Sequence, residues 1–94
     1  MHTDFLHLIP LTANAGTTAV LLLNGSRSYA ELQDCADMRL HAAKNLLRSL
    51  SLLESQEADG RDLMHVTHAA AVLLEDACDL LDAARKAAGR EVGR

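Results

Sequence analysis

Aromatic side chains are nearly missing: 94 residues hold one phenylalanine, Phe5, one tyrosine, Tyr29, and no tryptophan. That removes the stacking platforms on which a single-strand binder seats its bases. Basic charge is scarce as well. Nine Lys and Arg stand against thirteen Asp and Glu, a net charge of −4, so no basic stripe is available to neutralise phosphates and nucleic acid is excluded as a partner. The one basic cluster, Arg85, Lys86, Arg90 and Arg94, falls at the C-terminal end, where cations complement a helix dipole. Cysteine occurs only twice, at Cys35 and Cys78, too few for a small disulfide scaffold. Both lie on or beside apolar stretches, where a thiol behaves as a small hydrophobe, so reduced and buried thiols are expected.

Long hydrophobic runs are also lacking. No stretch approaches the ~20 apolar residues that span a bilayer, which leaves no membrane partner. The opening Phe5-to-Leu11 run, followed by Ala13-Asn14-Ala15, imitates an export leader. It has no Lys or Arg before it, carries Asp4, and is interrupted by His7 and Pro10. A cytoplasmic protein is the expectation. Gly-rich phosphate loops, a serine nucleophile elbow and paired inward carboxylates do not occur, so neither an enzyme nor a cofactor is expected.

What the chain does contain is an abundance of Ala and Leu at helical spacing. Ser28-Tyr29-Ala30-Glu31 has the form of a capping box and starts a helix at about residue 29. Leu32, Ala36, Ala43, Leu46, Leu50 and Leu53 then form a heptad-like stripe, with Arg39 as its one charged intruder. The helix runs to about residue 55, where SQEADGR supplies a polar loop. A second helix, about 61–88, carries Leu63, Thr67, Ala70, Leu74, Ala77, Leu81, Ala84 and Ala88 on one line, and Gly89 is placed to end it. So short a loop makes the two helices antiparallel neighbours, with Ala36 facing Leu81 and Ala43 facing Leu74.

The fold class is therefore all-α, a single small domain of residues 1–94 with a helical hairpin over 26–94. Residues 1–15 form a loose arm, and 16–24, containing the Ala19–Leu23 run, form either a short helix or a strand that caps the hairpin and competes for its apolar flank. The apolar surface is wider than one partner helix covers, because Cys35, Met38, Ala42 and Ser49 extend the first stripe sideways, and Val66, Ala69, Leu73, Leu80 and Ala87 extend the second. Twofold dimers are the commonest closed assembly. Two hairpins pairing as a homodimeric four-helix bundle would cover this flank, with Met38, Ala42, Val66, Ala69, Leu73 and Leu80 as the interface.

Polar residues give three further candidates. Between Asp62 and Ala84 there are five acids and no Lys or Arg, so Glu75, Asp76, Asp79 and Asp82 offer an acidic face to a basic partner protein. His65 and His68 share the polar side of the second helix, a weak metal alternative, since a site needs three or more converging ligands. His41-Ala42-Ala43-Lys44-Asn45 resembles the phosphotransfer-histidine motif of two-component signalling. That resemblance implies a helical bundle in which His41 accepts a phosphoryl group and Lys44 helps hold it. Asn45 and Leu46 depart from it, standing where that family has small residues that admit its partner. Length and architecture are also similar to the helical-hairpin proteins of bacterial type VII export, without the Trp-x-Gly that marks their turn. The expected function is a non-enzymatic interaction or oligomerisation module whose first partner is itself.

Overall fold

The computed structural model describes residues 7–52 and 60–93. The chain runs β1 (Leu8–Pro10), β2 (Leu22–Asn24), α1 (Tyr29–Ser51) and α2 (Gly60–Val92). The two helices pack against each other as the expected hairpin. Residues 53–59 between them lie outside the described residues, and Gly60 and Arg61, expected at the end of the polar loop, open α2. No described helix is long and apolar enough to cross a membrane.

Helix α1 starts where its capping box sits. Ser28 is extended, its Oγ accepts from the Glu31 N–H at 3.2 Å, and Glu31 accepts in return from the Ser28 N–H at 3.3 Å. Two of the helix's orphan donors are thereby satisfied reciprocally. The Arg27 guanidinium reaches the same carboxylate through two bonds of 3.0 Å. That contact, with the Ser28 N–H, holds the Glu31 carboxyl below the usual carboxylate range. Gly89 does not end α2, which continues to Val92. The last turn is held by tertiary bonds: Arg90 donates to the Gly25 carbonyl at 2.8 Å, and the Tyr29 N–H at the start of α1 donates to Glu91 at 2.7 Å. A carboxylate at a helix N-terminus is favourably placed in its dipole field.

Helices are not the whole fold. Residues 7–25, part of which was expected as a loose arm, form a two-stranded antiparallel ribbon with Ile9 opposite Leu23. Leu11 N–H donates to the Leu21 carbonyl at 3.1 Å and Gly25 N–H to the His7 carbonyl at 2.8 Å, bracketing the ladder. The turn into α1 passes so close to β1 that a Cβ on Gly25 would lie 2.9 Å from Ile9 Cδ1 and 3.0 Å from the His7 carbonyl oxygen. Only glycine fits this approach without displacement. The ribbon lies on the helical pair. Leu23, Leu32, Ala36, Leu80, Ala83, Ala84 and Ala87 form one buried cluster, and Ile9, Leu11 and Leu81 pack against it.

The ribbon changes which side of α2 is inside. Its buried residues are Ala70, Ala77, Leu80, Ala83, Ala84 and Ala87, whereas Leu63, Thr67 and Leu74, expected on the core line, are exposed. Relative to that line the seam is rotated by roughly 60–80° at 100° per residue. Leu80 and Ala87, expected on an outer flank, are core, because α1 and the ribbon cover that direction together. Alanines dominate the seam, so the helix backbones approach closely.

Candidate functional site

The acidic run on α2 is largely committed inside the chain. Asp79 accepts from both the Thr12 N–H, 2.7 Å, and the Thr12 hydroxyl, 2.8 Å, tying the end of β1 to the helix. Asp76 lies 3.7 Å from Arg39, the charged intruder in the α1 stripe, and Asp82 pairs with Arg85 at 3.1 Å. Arg39 also donates to the Cys35 carbonyl at 3.3 Å. The Arg39–Asp76 pair floors a small groove beside β2, lined also by Leu11, Leu22, Leu23, Cys35 and Leu80. Charge in an otherwise apolar seam is tolerated there because it is paired and half in water. Of the four acids offered as a partner face, Glu75 alone has no bond or ion pair of this kind; it borders a cleft of about 440 Å³ with Thr12–Ala15, His68 and Val72.

His65 and His68 are exposed on α2, and among the described residues no three His, Cys, Asp or Glu side chains come together as metal ligands. His41 is exposed on α1, with Nδ1 2.8 Å from the Asp37 carbonyl oxygen. A carbonyl oxygen only accepts, so Nδ1 is the donor in this contact and Nε2 is turned away from it. Lys44, one turn on, is exposed too. The cysteines correct another expectation: both Cys35 and Cys78 are free and exposed, because the rotated seam leaves them at its borders.

Asn14 and Met64 have places in the structure that the sequence alone does not single out. Asn14 makes four hydrogen bonds within the ribbon loop. Its Nδ2 donates to the carbonyls of Leu11 and Leu21 at 2.7 and 3.0 Å, and its Oδ1 accepts from the N–H groups of Val20 and Leu21 at 2.9 and 2.8 Å. That exhausts the bonding capacity of one side-chain amide. Met64 is 71% exposed, and with Leu63, Thr67, His68 and Ala71 it surrounds a shallow, mostly apolar depression of about 440 Å³.

This depression belongs to a larger bare face. The outer half of the hairpin, beyond Ala43 on α1 and Ala70 on α2, has no buried residue among those described. By helical projection Leu63, Thr67, Leu74 and Leu81 on α2 lie away from the ribbon, on the side to which Leu40 and Leu47 of α1 also turn. Leu47, Leu63 and Leu74 are each about 40% exposed, and Leu40 and Leu81 are half-buried. The body measures 56 × 29 × 16 Å, a slab with the ribbon on one side and leucines on the other. Of the flank expected as an interface, Met38, Ala42 and Ala69 are exposed, Val66 and Leu73 half-buried, and Leu80 buried. The chain matches no protein-family model, no curated protein and no solved structure.

Proposed function

We propose that this chain is a non-enzymatic interaction module that associates with a second copy of itself, the bare faces of two helical hairpins packing into a four-helix bundle with the ribbons outside. One observation carries the reading: Leu47, Leu63, Met64 and Leu74 are exposed along helices that bury nothing larger than Ala43 and Ala70 in their outer half. Contiguous exposed apolar surface on a small domain marks an interaction site, and a chain this short gains proportionately from shared core. The leucines now favoured lie on the face away from the ribbon, not on the Leu73–Leu80 side. Light scattering across concentration and salt tests it. Association insensitive to salt is expected, and the double substitution Leu63→Asp, Leu74→Asp should lower the mass at a given concentration with the fold intact. A double variant with unchanged mass refutes the interface.

A second reading, histidine phosphotransfer on His41, is favoured by the lone observation that its Nδ1 is held by Asp37 and its Nε2 is turned away from that contact on an exposed helix. Incubation with a phosphorylated acceptor domain should then leave an acid-labile label that His41→Gln abolishes. Absence of label in the parent chain removes this reading.

A further inference from the structure

The ribbon has two outer edges, and they are not alike. Hydrogen-bonded pairs at Leu11–Leu21 and His7–Gly25 place Ile9–Leu23 in the same class, so Leu8–Asn24 and Pro10–Leu22 are the alternate, non-bonded pairs. The main-chain groups of Leu22 therefore point away from β1, along the free edge of β2. On the other edge the corresponding residue is Pro10, which has no N–H to offer. The β1 side is also the side tied to α2 through Thr12 and Asp79.

The open edge is apolar. Val20 is 79% exposed, Leu21 58% and Leu22 45%. Leu22 borders the groove that contains Cys35 and Arg39, and Met38, one turn from Cys35, is 63% exposed. Exposed hydrophobic edges carrying unpaired main-chain groups are templates for another strand.

We propose that the free edge of β2 pairs antiparallel with the same edge of a second copy, forming a four-stranded sheet in the order β1, β2, partner β2, partner β1. Three points commit the edge to a second copy. With Leu22 on the twofold axis, its N–H and C=O each meet the counterpart on the other Leu22, so the two edges satisfy one another with neither group left over. The ribbon is held by its packing on the helical pair, and two further strands add ladder bonds that it does not have by itself. Pro10 blunts both outer edges of the resulting sheet, so pairing closes at two copies instead of continuing. The contact uses Val20–Leu22 and Met38, all remote from Leu63 and Leu74, so it stands independently of the bundle proposed above.

Sedimentation across concentration, combined with residue-resolved amide exchange, tests the proposal. Leu22→Pro deletes the outward N–H, which the ribbon itself does not use, and Leu22→Lys keeps that N–H while charging the edge. Both should weaken association by roughly tenfold or more with helical content unchanged, and in the parent chain the Leu22 amide should become protected as concentration rises. The Leu63→Asp, Leu74→Asp variant should retain that protection even if it loses the bundle contact. Parent-like association in both Leu22 variants, or a Leu22 amide equally open at every concentration, overturns the proposal. That outcome would leave the edge to an extended segment of a different protein and leave the bundle reading untouched.

Discussion

Replacing Asn14 should loosen the ribbon without touching the helices. The side chain closes the β1–β2 loop with four bonds of 2.7–3.0 Å, each worth about 1 kcal/mol net when its partners are sheltered from water. Three of the four lie in an exposed setting, so water takes over part of the role. We expect Asn14→Ala to cost about 2 kcal/mol and to lower Tm by roughly 10 °C. Asn14→Asp is the sharper test. It keeps the acceptor for Val20 and Leu21 but turns a carboxylate oxygen toward two carbonyl oxygens that previously received protons. Facing those carbonyls raises the folded-state pKa of the new carboxyl above its unfolded value. Stability is therefore lost as pH rises through that folded pKa and recovered below it, where the acid regains one donor. Thermal melts at pH 7 and at pH 4, with exchange followed at the Leu11 and Gly25 amides, measure both effects. Should Asn14→Asp melt with the parent at pH 7, or show no gain relative to Asn14→Ala on acidification, the loop is not closed by this amide.

Other expectations follow from single contacts. Gly25→Ala places a methyl 3.0 Å from the His7 carbonyl oxygen, which is backbone and cannot swing aside; a loss of about 1–3 kcal/mol in chemical denaturation is expected, and an unchanged midpoint argues against the close approach. Asp79→Ala removes both bonds to Thr12 and should raise binding of a hydrophobic dye by uncovering Leu23 and Leu80, while helical circular dichroism stays at the parent level. Because the Glu31 pKa is lowered from 4.5, first by the Arg27 side chain, its contribution is present above the unfolded value and lost as pH falls through the folded one. Arg27→Ala should move the Glu31 titration, followed by NMR, back toward 4.5, and an unmoved titration would separate the two groups.

Parts of the fold were legible in the sequence because they are decided locally. The Ser28–Glu31 capping box needs only four residues and appears as read. Helix–helix pairing follows from two long Ala/Leu stripes joined by few residues. The ribbon was legible only in part: a strand is one of the two readings of 16–24, where β2 lies, but β1 falls in the expected loose arm, because strands of three residues have too few positions for alternation to show. One cue was available, since the apolar runs ending at Leu11 and beginning at Ala19 are separated by small and polar residues, a pattern consistent with a hairpin loop. Asn14, inside that loop, would then have stood out as the side chain able to replace a missing ladder bond.

Leaving the place of residues 7–24 open had a consequence for every candidate site. Periodicity identifies an apolar stripe but not its centre when the stripe is as wide as that of α2, where small residues occupy most of the circumference. A two-body hairpin puts the centre on Leu63, Thr67 and Leu74; adding a third body that docks through Leu23 shifts burial to Leu80, Ala83 and Ala87. The same shift carries Asp76 and Asp79 from a free acidic face into contacts with Arg39 and Thr12, and it moves Cys35 and Cys78 from the seam to its borders. It also transfers the uncovered leucines to the opposite side. Which leucines stay uncovered is thus set by eighteen residues, 7–24, through what they cover.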